Sequence, residues 1–219
     1  MKNVNLNIAE EFLLLALDDE KGVICNQPFM GLEFGLAGAV LMELSLMNRI
    51  AADKEHLEIL DDSATGNQIF DDALAMIKDM EEEEDAKFWV WKLGIHIQEI
   101  KDYFINHLIE LGILEKKEKN ILWIYRRKCY PLIDDKVEQE VKDRIRKTIL
   151  KNKKPLPRDV VLISLMRSTN LTNQIFTDQE TEKVSDRIEQ IAKMDIIGQA
   201  VYQAIYEILQ KISLQQLYY

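Results

Sequence analysis

The feature that most constrains the fold is an apolar stretch with spaced glycines, MGLEFGLAGAVLMELSLMNR, at residues 30–49. Gly31, Gly35 and Gly38 stand at offsets of four and seven, which places all three on one face of a helix. Because a face without side chains lets a neighbouring helix approach closely, we interpret this stretch as the central helix of the fold. The glycines do not form the G-x-G-x-x-G pattern of a dinucleotide-binding loop, so phosphate binding here is the weaker interpretation.

The preceding stretch, residues 6–24, is an apolar run followed by acids and a glycine, LNIAEEFLLLALDDEKGVI. A secretory signal requires a positively charged start and a small-residue cleavage site, whereas Glu10 and Glu11 precede this run. Asn7 and Glu10 have the spacing of a capping box, in which each side chain bonds a free amide at a helix start. The stretch therefore predicts the first helix of a globular domain, and neither an export signal nor a membrane anchor.

Charge divides the chain into an acidic body and one basic segment. The 219 residues carry a formal net charge of −10. Residues 116–158 hold 15 lysines and arginines against 6 acids, a net charge of +9, and the remainder carries −19. The basic segment, notably Arg126 to Lys128 and Lys142 to Lys154, is either a solvated surface or a site for phosphate groups on lipid or nucleic acid.

The sequence indicates neither a membrane span nor a catalytic centre. The best span candidate, residues 34–47, has 14 residues and contains Glu43, whereas a bilayer requires about 20 apolar residues. Common catalytic and nucleotide-binding motifs are missing, and the scattered histidines predict no metal site. The two cysteines predict reduced thiols. The histidines are His56, His96 and His107, and the cysteines are Cys25 and Cys129.

Helical periodicity predicts a mainly α fold, with a single helical domain over residues 1–219 and two short β-hairpins. Residues 49–60 have the pattern of the first hairpin. The apolar spacing from Trp91 predicts one long helix. A second hairpin follows at 113–130, with a polar turn at 116–120, and together with the long helix it has the outline of a winged helix.

Further helices are predicted towards the C terminus. A basic helix occupies 135–150, and another, apolar helix runs through 160–166. Thr177 and Glu180 form another capping box, and a last helix places Ile205 on its buried side.

Four stretches stand in a characteristic order and spacing: LNIAEEFLLLALDDEKGVI, GLAGAVLMELSLMNRI, TGNQIFDDAL and HLIELGILEKKEKNILWIYRRKCYPL. In this arrangement the chain resembles the Golgi phosphoprotein family, whose eukaryotic members include the yeast retention factor, and it is most similar to the shorter prokaryotic branch. The likeness runs from about Leu6 to Ile212. It implies a mainly helical domain that binds phosphatidylinositol 4-phosphate at a membrane surface, acts as an adaptor rather than an enzyme, and oligomerises through its hairpin.

The resemblance also indicates which residues of this chain correspond to the family's lipid pocket, and these residues differ from those of the family. The nearest counterpart of its loop tryptophan is Phe29, and an arginine of the glycine-containing helix falls on Ala37. Two further arginines fall on Gln98 and Lys101, and lysine lacks the bidentate fork that arginine offers to phosphate. The predicted lipid-binding residues are Phe29, Gln98, Lys101, Arg126, Arg127 and Lys128.

The leading hypothesis is a non-enzymatic module on the cytoplasmic side of a membrane, which binds an anionic phospholipid or phosphoinositide headgroup without a cofactor. The alternative is a cytosolic scaffold that self-associates through the 113–130 hairpin and binds no lipid. An apolar strand edge is suited to pairing with a partner, so the predicted contact residues are Trp123, Ile124 and Tyr125.

A winged-helix nucleic-acid binder is the least favoured hypothesis. The predicted long helix places Glu99 and Asp102 next to Lys101, and the net charge opposes binding to a phosphate backbone.

Overall fold

The computed structural model of the protein is mainly helical with two small antiparallel sheets, which confirms the predicted fold class. It describes residues 5–18, 22–25, 30–53, 55–121, 125–151, 153–194, 199, 202–208 and 210–211, and for 119–121 and 125–127 it describes the backbone. The helices are α1 (Ile8–Ala16), α2 (Gly31–Leu46), α3 (Gln68–Lys78), α4 (Ala86–Ile95), α5 (Ile97–Glu110), α6 (Lys136–Leu150), α7 (Pro157–Ser168) and α8 (Asp178–Ala192). The strands are β1 (Ile50–Ala52), β2 (Leu57–Ile59), β3 (Lys117–Ile121) and β4 (Tyr125–Cys129).

Helix α2 lies at the centre of the fold, as predicted. Twelve of its 16 residues are buried, and it packs against α1, α4, α5 and α7. A Cβ at Gly35 would collide with the ring of Phe12 in α1 and would lie 3.0 Å from Thr169 Cγ2. The close approach that the glycine spacing predicts is therefore confirmed at Gly35.

Helix α1 is buried along its whole length and begins at the predicted capping box. Asn7 Oδ1 accepts a 3.0 Å hydrogen bond from the Glu10 amide, and Glu10 Oε2 accepts a 2.9 Å bond from the Asn7 amide. After the helix, Gly22 adopts φ +60°, and its carbonyl accepts a 2.6 Å bond from the Tyr130 amide. A Cβ at Gly22 would collide with the backbone of Tyr130 and Pro131, so glycine is required where these two segments meet.

The single long helix predicted from Trp91 is wrong, because two helices, α4 and α5, meet at His96. His96 has φ −91° and ψ 17°, outside the helical range, and its amide donates to Leu93 O at 3.0 Å. Only one residue leaves the helical conformation, so the apolar spacing continues through the break and does not reveal it.

Both predicted hairpins are present. In the second, Lys117 lies opposite Cys129 and Ile121 lies opposite Tyr125. The polar turn predicted at 116–120 is therefore wrong, because most of these residues form β3, and the residues between the two strands lie outside the described part of the chain. A sheet of two strands tolerates polar residues because one face can meet water. The hairpin follows α5 in the predicted order, and the winged-helix comparison stays a prediction.

The C-terminal elements agree with the sequence. Helices α6 and α7 occupy the predicted regions, and the Thr177–Glu180 capping box opens α8. Residues 202–208 are helical, and Ile205 is fully buried. Among the described residues, no helix is both long and apolar enough to cross a bilayer.

Candidate functional site

The α6 half of the basic segment is occupied by ion pairs within the protein. Arg144 and Arg146 are bound by acids of other helices, so they are not free for a phosphate group, whereas Lys147 is 52% exposed and agrees with the solvated-surface interpretation. The acids that bind Arg144 and Arg146 lie on other helices, which the chain order does not reveal, whereas Lys142 and Lys147 pair with acids four positions before them in α6. The pairs are Lys142 with Glu138, Arg144 with Glu11 and Asp159, Arg146 with Glu180, and Lys147 with Asp143.

Arg144 and Glu11 form a partly buried ion pair between α6 and α1. Glu11 is only 4% exposed and accepts two bonds from Arg144, Nη1 to Oε1 at 3.1 Å and Nη2 to Oε2 at 2.7 Å. Arg144 Nε also donates to buried Asp159 at 2.7 Å, and Arg158 Nε donates to Glu11 at 3.2 Å. Burial alone would lower the pKa of Arg144, but Glu11 and Asp159 outweigh it, and the pKa is raised. These guanidinium groups hold α1, α6 and α7 together.

Arg146 joins α6 to the start of α8. Its Nη2 lies 2.6 Å from Glu180 Oε1, and its guanidinium lies 5.3 Å from the centre of the Phe176 ring. The hydrogen bond from Arg146, with a second from the Thr177 amide, lowers the pKa of Glu180 to about 2. This pair is an internal connection between helices.

Lys101 and Lys128 line a pocket of about 200 Å³. It forms where the segment after α1, helix α5 and the end of β4 meet. Helix α5 contributes residues at relative positions 0, 3, 4 and 7, which form one helix face. The described lining residues are Val23, Ile24, Gln98, Lys101, Asp102, Ile105, Lys128 and Tyr130.

Backbone pairing holds the walls of the pocket in place. Ile24 forms an antiparallel bridge with Leu17 at the end of α1, and the Cys25 amide donates to Ala16 O at 2.8 Å. The bond between the Tyr130 amide and Gly22 O attaches this segment to the end of β4. The pocket therefore depends on three regions far apart in the chain.

A chain of hydrogen bonds runs across the α5 face of the pocket. Lys101 Nζ donates to Gln98 Oε1 at 3.0 Å, and Gln98 Nε2 donates to Asp102 Oδ2 at 2.8 Å. The pKa of Tyr130 is raised by burial and also by the negative charge of Asp102, so its phenol stays protonated at neutral pH. Lys101 and Lys128 outnumber the single acid among the described lining residues. The pocket can thus attract an anion and offer it ammonium and phenol donors.

Three of the predicted lipid-binding residues, Gln98, Lys101 and Lys128, line this pocket. Arg126 and Arg127 belong to β4, where the backbone is described. Strand alternation puts position 126 on the same face of β4 as Lys128, and position 127 on the opposite face. Phe29 lies outside the described residues.

Ala37, another family-derived position, does not line this pocket. Ala37 is completely buried in α2. Trp123 and Ile124 lie outside the described residues, and Tyr125 is the first residue of β4.

Sequence reasoning missed Asp102, Ile105 and Tyr130 as lining residues. Asp102 and Ile105 stand four and seven positions after Gln98, so the helix period could have identified them. Nothing in the local sequence indicates that Val23 and Ile24 would meet them. Among the described residues, no cluster of histidine, cysteine and acidic side chains could hold a metal ion.

Comparisons with known proteins agree with the family resemblance that the order and spacing of the four sequence stretches indicate. A curated relative is the vacuolar protein sorting-associated protein 74 of Schizosaccharomyces pombe, which is 25% identical over 166 residues. The matched region covers 66% of this chain and 48% of the relative, so the chain spans about half the length of that protein. The family model described as Golgi phosphoprotein 3 (GPP34) matches residues 8–208. With nearly all of its length matched, the chain belongs to the Golgi phosphoprotein 3 (GPP34) family.

Proposed function

We propose that the protein is a peripheral-membrane adaptor that binds anionic phospholipid headgroups, phosphoinositides among them, on the cytoplasmic face of a membrane. The observation that carries this proposal is the convergence of Lys101 from α5 and Lys128 from β4 on one pocket, beside Gln98 and Tyr130. Family membership supports it. The adaptor performs no chemical step, so the headgroup is a ligand and not a substrate.

The chemistry of the pocket suits a phosphate with limited discrimination between headgroups. An ammonium group is a point charge with three donors, and Lys101 uses one of them on Gln98. Without arginine the pocket lacks the planar fork that recognises a phosphate in two bonds. Asp102 also repels an anion. We therefore expect charge to matter more than the identity of the headgroup.

Liposome sedimentation at low salt tests this proposal. Vesicles of neutral phosphatidylcholine are compared with vesicles containing phosphatidylserine or phosphatidylinositol 4-phosphate. We expect binding to both anionic compositions, and we expect Lys101→Ala and Lys128→Ala each to weaken it by about fivefold, since a basic residue near an anionic bilayer contributes about 1 kcal/mol.

Lys183→Ala is the matched control, because it removes the same charge from the exposed surface of α8. Equal losses for Lys101→Ala and Lys183→Ala would contradict a pocket and would indicate attraction by overall charge. Absence of binding to every composition would overturn the proposal.

The two arginines of β4 provide a second matched pair. Because strand alternation puts position 126 on the same face as Lys128, we expect Arg126→Ala to weaken binding to anionic vesicles more than Arg127→Ala. Both variants remove one positive charge from adjacent residues. A larger loss for Arg127→Ala would place the lipid on the other face of the hairpin.

Self-association through the second hairpin is the other candidate function. Within the described residues, β3 and β4 form a sheet of two strands, so each has an outer edge that a second copy could extend. Light scattering coupled to size-exclusion chromatography measures the mass. We expect the wild type to be an oligomer and the Trp123→Asp variant to be a monomer. Lipid binding of the variant is tested separately. A monomeric wild type, or an unchanged mass for the variant, would contradict this function.

A further inference from the structure

Two large apolar side chains of helix α4 are exposed to solvent. Trp91 is 49% exposed and Ile95 is 58% exposed, and they stand four positions apart, so they lie on one face of the helix. The half-buried Phe88 extends this face by one turn, and its ring centre lies 6.5 Å from that of Trp91. We call Phe88, Trp91 and Ile95 the α4 stripe. Large apolar side chains that share one exposed surface are typical of an interaction site.

The opposite face of α4 is fixed on the core. Trp89 and Leu93 are buried there, and α4 packs against α2. The two exposed residues each stand two positions after this buried pair, which turns them by about 200° around the helix axis. The α4 stripe therefore points away from the core, and packing within the domain does not explain its apolar residues.

Helix α5 repeats this arrangement, and it also packs against α2. Ile100 and Phe104 are buried, and Gln98 and Asp102 stand two positions before them, again about 200° away around the axis. Gln98 and Asp102 line the pocket proposed for a phospholipid headgroup, which we call the headgroup pocket. The α4 stripe and the headgroup pocket thus both lie on the side of the two helices that faces away from α2.

The two surfaces are also close to each other. Ile95 at the end of α4 and Gln98 in the first turn of α5 are three residues apart, on either side of the break at His96. Three residues span about 11 Å at most. A bilayer that places a headgroup in the pocket therefore comes within reach of the α4 stripe.

The charge of α4 is complementary to an anionic bilayer. Its ten residues include Lys87 and Lys92 and no acid, although the whole chain carries a net charge of −10. Lys87 pairs with Glu207, and Lys92 stands between the two exposed apolar residues. The acidic residues 81–85 precede the helix and lie beyond its other end. Tryptophan and lysine side by side on an apolar helix face are typical of a segment at a membrane–water interface.

We propose that the α4 stripe inserts into the interfacial layer of an anionic bilayer when the headgroup pocket takes a phospholipid. Trp91 and Ile95 then lie at the level of the upper acyl chains, and Lys92 lies among the phosphates. With ten residues, α4 is about 15 Å long and lies in the interface without crossing the bilayer. The inference rests on the proposed function, because it requires a bilayer as the partner. It adds an apolar contact that does not depend on which headgroup is bound.

Quenching of tryptophan fluorescence by brominated lipid tests the insertion. The full chain is mixed with vesicles of phosphatidylserine and of phosphatidylcholine that carries bromine on its upper acyl chains, at a lipid concentration that sediments all of the protein. We expect bromine to quench part of the wild-type emission, and this part to be lost in Trp91→Phe. Since Trp89 and Trp123 are common to both chains, the difference between them reports Trp91.

Neutral substitutions measure how much the insertion contributes to binding. Trp91→Ser and Ile95→Ser should each weaken sedimentation with anionic vesicles by about fivefold, since less apolar surface leaves water. Leu156→Ser is the matched control, because Leu156 is 60% exposed and serine suits its N-cap position in α7. Leu156 stands two residues before Arg158, which donates to Leu6 O ahead of α1, whereas the headgroup pocket lies beyond the other end of α1. This variant should sediment as the wild type does.

The possible failures of the insertion and of the proposed function can be told apart. Vesicle binding without quenching that depends on Trp91 would overturn the insertion and leave the proposed function standing. Equal losses of binding for Ile95→Ser and Leu156→Ser would also overturn it. Absence of binding to every vesicle would overturn both. If light scattering showed that Ile95→Ser turns an oligomer into a monomer, the stripe would be an interface between copies of the chain, and the insertion would be wrong.

Discussion

Two parts of the same basic segment, residues 116–158, behave in opposite ways. Towards its end, Arg144 and Arg146 are held by acids from α1, α7 and α8. In the hairpin, Lys128 is exposed and lies with Lys101 at a pocket that contains a single acid among its described lining residues. Both parts look alike in composition, and the difference arises from which acids the fold brings near them.

The comparison shows that a local excess of charge does not identify a binding surface. A buried arginine pair with good geometry becomes part of the structure, because removing one partner leaves an uncompensated charge. An exposed lysine contributes little to folding and keeps its charge available for a ligand. The two regions should therefore respond differently to the same kind of substitution.

The largest effect is expected at the internal network. Glu11→Ala should lower the free energy of unfolding by about 3–5 kcal/mol, because Arg144 and Arg158 lose a partner that is itself buried. Urea denaturation followed by circular dichroism measures it. Glu81→Ala, at an exposed position between α3 and α4, is the control and should change stability by less than about 0.5 kcal/mol. Similar losses of stability for the two variants would show that the ion pairs of Glu11 stabilise the fold no more than an exposed acid does.

The ion pair of Arg146 in α6 with Glu180 in α8 should be detectable in the pKa of Glu180. Glu180 has a pKa of about 2, below its ordinary value of 4.5, so its ionisation stabilises the fold above that ordinary value, and this stability is lost as pH falls towards 2. Arg146→Ala should raise the pKa of Glu180 towards 4.5 and move the acid loss of stability to higher pH. Carboxyl NMR titration measures the pKa. Lys147→Ala, whose partner is Asp143, should leave it unchanged.

At the pocket, removing the acid should strengthen anion binding. Asp102→Asn eliminates a repulsive charge and should tighten binding to anionic vesicles by about fivefold, or about 1 kcal/mol. It should also lower the pKa of Tyr130, which burial would still keep raised. Vesicle sedimentation and NMR of labelled tyrosine provide the two measurements. Unchanged values in both would show that Asp102 does not act on the pocket.

The smallest effect should be that of the pocket lysines on stability. Lys101→Ala and Lys128→Ala should change the free energy of unfolding by less than about 0.5 kcal/mol, as surface substitutions usually do. The same urea experiment measures it. A loss comparable to that of Glu11→Ala would mean that these lysines are structural as well.

The sequence predicted most helices and both hairpins because apolar spacing and capping residues are local. Asn7 with Glu10 and Thr177 with Glu180 mark helix starts that the structure confirms. Local patterns did not locate the break at His96, since the spacing continues through it. The turn at 116–120 was misplaced because charged residues were expected in a turn, whereas a sheet of two strands accepts them.

The amino-acid pattern determined the family and the central position of α2, and it predicted Gln98, Lys101 and Lys128 as lipid-binding residues. Only the tertiary structure decided that these three side chains share a pocket with Tyr130, and that Arg144 and Arg146 are bound by acids of other helices. The physical reason is the range of the interactions. Helix periods and caps act over three or four residues, whereas the acid beside a given base lies more than 100 positions away for Arg144 and Glu11.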